Sequence, residues 1–483
     1  MRAFFKSLLE EYVDPDKALM SSTGALIEAV AQRHALGLSP ETWTEGEPLK
    51  LLFAGYVGTR NTGADVRVEE ILRQVRHLLG PEQAELTVMT VEPALSAGYF
   101  RGVGQVTLPA VFPKFLFDEC PKHHGVVSCE GSMFKSKFAN ALSTMMAGSL
   151  GMANAEGKLS VGYGAEAGEM TDGLQAFVRR QCRDSLVLCR NVPSRGILEE
   201  LDVRTTGGTD TAWTFEPAPA SRGEQILRDA GWDRKTPVMA ICPINPFWWP
   251  VKPDVARAVR DQLGKKTDPY HYKSVYYHHQ SEEAEAKNDA YLSALAGALN
   301  AFRKDHDCFP ILVGMEQLDR KACEALLPRL DQQVPLLISD TWDMYDLVSV
   351  LRRCRFMVSS RFHAMVTSMP GGVVSAGVTM DERIRNLMDA RNTPELSLEV
   401  DDPQLEGRLL DVMKRLVKDE DEIRANILRV VPRQVQMMGE MGQVFLDEVR
   451  RVYPAFPIPD HGKSWEAHLP PLSRDLQTLM EAK

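Results

Sequence analysis

The residues with the clearest chemical potential in this 483-residue sequence lie in the run VSSRFHAMVTSM, residues 358–369. Arg361 and His363 stand two apart where a short apolar run gives way to a strongly apolar helical one. A guanidinium and an imidazole at a helix N-terminus make an anion pocket with a titratable proton donor beside it. Ser359 and Ser360 crowd the same junction. A lone histidine there would read as a cap or a packed side chain, whereas the Arg–x–His pair points to binding or proton transfer. Two further junctions have this character. GYVGTRNTGAD, residues 55–65, follows one apolar run and precedes a helical pattern; Gly58 and Gly63 let the backbone approach an anion, Asn61 adds an amide, and Arg60 adds a charged fork. CEGSMFKSKF, residues 129–138, puts Glu130 and Ser132 at a strand end, with Lys135 and Lys137 read as facing solvent.

These junctions demand a particular frame. From about Leu49, short apolar runs (LKLLFAGY, AELTVMTV, QVTLP, HGVVSCE, KLSVGYG, SLVLC) alternate with helix-period segments. The series fades at residues 211–219 and resumes with VMAICPI, CFPILVG, VPLLIS, FMVSS and GVVSAGV. Strands alternating with helices imply parallel pairing and doubly wound sheets. The expected fold class is therefore α/β, with two Rossmann-like doubly wound lobes and helical N- and C-terminal extensions. The expected boundaries are 1–46 for an N-terminal helical extension, 47–220 and 221–395 for the lobes, and 396–483 for C-terminal helices and tail. Ligands of open α/β sheets bind beyond the carboxyl ends of the strands, so the interlobe cleft is the expected site.

Composition narrows the function classes. The formal net charge of −10 argues against a broad electrostatic grip on nucleic acid or anionic lipid. No uncharged apolar run reaches the ~18 residues of a membrane span, and the N-terminus lacks the pattern of a secretory signal. A cytoplasmic protein is expected. Eight cysteines without CxxC spacing read as buried reduced thiols, and no metal site is expected. The run PYHYKSVYYHHQSEE, residues 269–283, reads as an exposed amphipathic loop, with an acceptor-lining role or adventitious metal binding by its His/Tyr cluster as the other readings. The terminal extensions are candidates for dimer contacts or for caps on the lobes.

Taken in order, the three junctions resemble the polysaccharide pyruvyl transferase family. That family opens with GxxGxxNxGD, matched here by Gly55, Gly58, Asn61 and Gly63, and carries SxRxHA followed by GvP…GisYDpKv, against SSRFHAMVTSMPGGVVSAGVTMDERIRNLM here. The likeness spans roughly residues 48–395. Ala64 stands where the motif has Asp, with Asp65 one place later; Met380 and Arg383 replace Tyr and Lys, and Asp381 is kept. The resemblance implies two glycosyltransferase-B-like lobes, phosphoenolpyruvate as donor, a glycan or sugar-linked acceptor, a pyruvate ketal as product, and no cofactor. It implies His363 as general acid or as the phosphate's proton partner, and Arg361 as the grip on phosphate or carboxylate. Arg383 and the N–H groups around Ser359 and Ser360 would share that load, and Glu130 or Asp381 would take the acceptor hydroxyl's proton. A nucleotide-sugar glycosyltransferase and a non-catalytic relative binding in the same cleft are the competing readings.

Overall fold

The computed structural model describes residues 14–254, 257, 260 and 276–481. Seven strands form the first sheet: β1 (Leu49–Val57), β2 (Ala84–Thr90), β3 (Gly104–Thr107), β4 (Gly125–Ser128), β5 (Leu159–Ala165), β6 (Leu186–Cys189) and β7 (Arg204–Gly207). Their order is β3-β2-β1-β4-β5-β6-β7, with every pairing parallel. After β8 (Val238–Cys242), a two-residue antiparallel ribbon joins β9 (Lys252–Pro253) to β10 (Tyr276–Tyr277). The second sheet adds β11 (Phe309–Gly314), β12 (Leu336–Ile338), β13 (Phe356–Ser359), β14 (Val374–Thr379) and β15 (Ser397–Glu399) to β8, in the parallel order β12-β11-β8-β13-β14-β15. Counted within each sheet, both run 3-2-1-4-5-6, the doubly wound order, and the first sheet adds a seventh strand beyond the sixth. The direction of winding reverses between β1 and β4, and again between β8 and β13. Connections leaving these strands diverge, which opens a crevice at their carboxyl ends.

The central strands are buried on both faces, so their sequences are continuous apolar runs rather than alternating ones. Four strands, β7, β9, β10 and β15, escape the sequence pattern. β7 reads RTTG and β15 reads SLE, polar because each forms the edge of its sheet; β10 falls in the run expected to be a loop. Because β15 pairs with β14, the second sheet extends past residue 395. Residues 211–219, where the series of strands fades, contain a 3-10 turn at Ala212–Thr214 packed in the core.

Both extensions pack on the first lobe. The helix Pro15–Ala35, capped by the Asp14 carboxylate, lies against the helix Asn140–Ala155. A Cβ on Gly148 would fall 2.7 Å from Thr23, and one on Gly151 would fall 2.8 Å from Ile27, so these two glycines permit the close approach. The helix Glu420–Val452 leaves the second lobe and returns to the first: Arg204 forks onto Glu448 at 2.9 and 3.0 Å, and Gln74 donates to the Met438 carbonyl at 2.8 Å. Residues 1–13 of the expected N-terminal helix, and residues 269–275 of the His/Tyr-rich run, lie outside the described residues. No helix among the described residues is long and apolar enough to cross a membrane. All eight cysteines are buried and unbridged.

Candidate functional site

The glycine turn after β1 is tied by its own sequence. Gly58 adopts φ +72° and Arg60 φ +58°, both left-handed, and Asn61 caps the helix Thr62–Leu79 by accepting from the Ala64 N–H. Asp65, one turn into that helix, reaches back to accept the Gly58 N–H at 3.1 Å. Asp65 therefore clamps the loop. The turn also touches the second lobe: Thr62 N–H donates to the Met315 carbonyl at 2.7 Å, and Ser339 Oγ donates to the Arg60 carbonyl at 2.7 Å. The Arg60 guanidinium donates to Tyr99 Oη at 2.8 Å and lies over its ring. Arg60 is thus committed to the seam between the lobes.

Asp65 is fully buried, and its Oδ2 has no hydrogen-bond partner among the described residues. Burial pushes its carboxyl up to about 7, against the lowering effect of the Gly58 N–H and of Arg60. A carboxyl raised on folding stabilises the fold fully below its unfolded value near 4, and that contribution is lost as pH climbs through 7. Asp65→Asn keeps the Gly58 acceptor but cannot ionise. The variant should match the parent at pH 4 and exceed it by up to about 4 kcal/mol at pH 8. Urea titrations at the two pH values measure this; a stability gap that does not vary with pH contradicts it.

At the second junction, Ser359 Oγ accepts the Arg361 N–H at 3.0 Å and donates to the Arg361 carbonyl at 2.8 Å. Ser360 shares a hydrogen bond with Tyr291 at 2.8 Å. Both serines shape the turn. The Arg361 guanidinium, expected to grip an anion, is held by carboxylates instead: Nε donates to Asp319 at 2.8 Å, and Nη2 donates to Glu316 at 2.7 Å and again to Asp319. Two carboxylates around one guanidinium leave this corner net negative while both are ionised. Burial pushes Asp319 up to about 6, with Arg361 opposing the shift.

His363 crosses to the first lobe. Its Nε2 lies 3.3 Å from Asp210 Oδ2, and 13 % of its side chain reaches solvent. On the other side it meets the glycine turn: a Cβ on Gly63 would fall 2.6 Å from His363 Cγ and closer still to Nδ1. Any larger residue at 63 would cover the one ring nitrogen that Asp210 leaves over. Gly63→Ala is expected to cost about 1–3 kcal/mol by overpacking and to shift the His363 imidazole resonances in an NMR spectrum. Unchanged resonances would contradict the contact.

Behind the imidazole lies a cluster of buried charges that the sequence reading did not single out. Asp210, just past β7, receives Arg67 Nε at 2.9 Å and Arg190 Nη1 at 3.0 Å. Glu166, just past β5, accepts from Lys135 at 3.3 Å, from Asn191 at 3.2 Å and from Arg190. Burial alone would raise the Asp210 carboxyl, but Arg67, His363 and Arg190 together hold it well below the usual carboxylate range. His363 is lowered from its ordinary value by burial, against the pull of Asp210, and so is largely uncharged at neutral pH. A neutral imidazole with an ionised carboxylate behind it is arranged to accept a proton and to stabilise the imidazolium that forms. That favours a base over the general acid implied by the family resemblance.

Lys135, read as solvent-facing, is 1 % exposed; it also bridges the lobes to Glu382 at 2.6 Å. Lys137 is exposed. Asp381 caps the helix Glu382–Ala390 and chelates Arg383 at 2.8 and 3.0 Å, and Arg383 with Lys135 holds its carboxyl far below its ordinary value despite burial. This leaves Asp381 poorly suited to accept a proton.

A cavity of about 210 Å³ lies between the lobes. Asn61, Glu130, Ser132, Arg361 and Arg383 line it, so five of the residues picked out from sequence meet on one space. Gly58, Arg60, Ser359, Ser360 and Asp381 serve the surrounding turns; His363 and Gly63 meet each other but are not among the residues that line the cavity. Trp249, Tyr276 and His278, the last two from the run expected to be an exposed loop, also line it. Among the described residues no group of three or more His, Cys, Asp or Glu side chains is placed to hold a metal ion.

No protein-family model matches the chain, and no curated protein matches its sequence. Solved structures do match. Anabaena Alr3699/HepE, in complex with UDP-glucose, aligns over 83 % of this chain and 100 % of its own, with a TM-score of 0.52 at 11 % identity. The Staphylococcus aureus MnaA–UDP co-structure aligns over 78 % and 90 %, with a TM-score of 0.48 at 8 % identity. The calicheamicin glycosyltransferase CalG4 aligns over 84 % and 100 %, with a TM-score of 0.45 at 11 % identity. The first of these likenesses, together with the two doubly wound sheets, fixes the architecture as glycosyltransferase-B-like.

Proposed function

We propose that the chain is a transferase that moves a group onto a hydroxyl of a sugar-containing acceptor in the interlobe cleft, with His363 taking the hydroxyl proton. The observation that carries this reading is the meeting of Gly63, His363 and Asp210 across the two lobes, beside a cavity lined by Asn61, Glu130, Ser132 and Arg383. With a nucleotide sugar, the acceptor oxygen bonds to the anomeric carbon and gives its proton to the imidazole, and the Asp210 carboxylate stabilises the imidazolium. The bond from that carbon to the diphosphate breaks with its electrons on the diphosphate. With phosphoenolpyruvate, a proton must also reach the methylene carbon, after which the acceptor oxygen bonds to the neighbouring carbon. Phosphate then leaves with its bonding electrons, and a second hydroxyl closes the ketal.

Two donors fit, each supported by its own observation. A nucleoside diphosphate sugar is supported by the shared architecture with a protein that holds UDP-glucose. It is also supported by the pairing of Arg361, Arg383 and Lys135 with carboxylates, which leaves these three cations poorly suited to a small trianion. Phosphoenolpyruvate is supported by the SSRFHA and GYVGTRNTG motifs, whose residues meet in space. Titration calorimetry with UDP, UDP-glucose and phosphoenolpyruvate, followed by assays for UDP or phosphate release with a mixed glycan acceptor, separates them. UDP release supports the first donor and phosphate release the second. Binding without either release would sink the transfer reading.

A further inference from the structure

The cleft cavity divides by chemistry. Its polar half is built from residues just past strand ends: Asn61, Glu130, Ser132, Arg361 and Arg383. Its other half is hydrocarbon. Leu108 and Phe112 come from the segment after β3, Ala141, Leu142 and Met145 from the start of the helix Asn140–Ala155, and Trp249 from the second lobe. Leu108, Phe112, Ala141 and Met145 are buried although a cavity adjoins them, and Leu142 is half-buried. Phe138 marks the border, with the Arg383 guanidinium 4.8 Å from its ring centroid and Trp249 set edge-on at 5.1 Å.

This apolar wall is held across the lobes. The Val251 N–H donates to the Phe138 carbonyl at 3.0 Å, and the His279 N–H donates to the Trp248 carbonyl at 2.9 Å. His278 stacks on Trp248 at 4.3 Å and meets Trp249 edge-on at 4.7 Å. Nothing in the proton-transfer arrangement at His363 requires such a wall. A sugar ring placed against Leu108, Phe112, Ala141 and Leu142 would bury hydroxyls against side chains that offer no hydrogen-bond partner, and each such hydroxyl is costly. An alkyl or aryl group would gain from the same burial.

We propose that this half of the cleft is an aglycone compartment: it holds the apolar group of an acceptor whose sugar end faces Glu130, Ser132 and Arg383. The sugar half of this statement rests on the function proposed above; the apolar half stands on the cavity alone. Aglycone chain length, rather than sugar identity alone, then sets acceptor affinity.

Calorimetry with methyl, butyl and hexyl β-D-glucopyranoside, all below micelle-forming concentrations, tests it. Affinity for the parent should rise about fourfold per added methylene. In Leu142→Asn the series should flatten while methyl glucoside binds as before, and Trp249→Ala should flatten it independently. Hexan-1-ol alone should bind the parent and be displaced by hexyl glucoside. Equal affinity along the series in the parent, or a steep series that persists in both variants, overturns the compartment. Hexan-1-ol binding without transfer to any sugar would remove the transfer reading and leave the compartment; transfer with affinity indifferent to chain length would do the reverse.

Discussion

Asp210→Asn is expected to destabilise the protein by about 3–5 kcal/mol at pH 7, the cost of stripping the counter-charge from a buried ion cluster. Asp210 is 3 % exposed, and its carboxylate receives Arg67 and Arg190, both essentially buried. Neither guanidinium can shed its proton to escape burial. Arg67 keeps its bonds to the Cys129 and Gly164 carbonyls at 2.9 and 2.7 Å, and with them its charge. The sign with pH follows from the depressed carboxyl: its contribution is fully present above the unfolded value near 4 and is lost as pH falls toward the folded one. Urea denaturation of parent and variant should therefore show the full gap from pH 5 upward and a closing gap in stronger acid. A loss below about 1 kcal/mol at pH 7 would mean that the cluster contributes little.

His363→Gln should leave the fold nearly intact and reduce turnover by about 10²–10⁴-fold, the usual worth of a positioned proton acceptor. Gln is close to imidazole in length and can still reach Asp210, so packing against Gly63 is largely kept. It has no basic site at neutral pH. If His363 acts as a base, the parent's rate should fall in acid as the imidazole takes up a proton, with a midpoint below the ordinary histidine value because burial lowers it. The variant's residual rate should lack that limb. Full activity in the variant, with the same pH profile, would assign proton transfer elsewhere. Glu130, which lines the cavity, would be the next candidate.

The sequence made the frame legible wherever strands are buried on both faces. LLFAGYV, VMAIC and VSAGVT are such strands, and their runs admit no other packing. Two of the four edge strands were not legible: RTTG and SLE have one neighbour each, so nothing forces them to be apolar, whereas the edge strands β3 and β12 keep enough apolar residues to be read. The site was half legible for a similar reason. Arg361 and His363 announce themselves by their spacing, and the structure carries His363 across to Asp210 of the other lobe. The partners of Arg361 were hidden, since Glu316 and Asp319 look like an ordinary acidic helix start after β11. Glu166 and Arg190 each follow a legible strand directly, so a systematic reading of carboxyl ends raises them, whereas Asp210 lies three residues past the polar strand β7 and carries no such signal. Arg67 carries none either. It lies inside a helix with charged neighbours, and only the tertiary fold turns it inward to bind the ends of β4 and β5.

The most direct test of the account is a crystal structure of the protein with UDP-glucose or phosphoenolpyruvate and a hexyl glycoside bound. The account predicts the ligands between the lobes, an acceptor hydroxyl within about 3.2 Å of His363 Nδ1 over Gly63, and the hexyl chain against Leu142 and Trp249. Ligands seated outside the cleft, or within it but with the imidazole remote from every reacting oxygen, would contradict it.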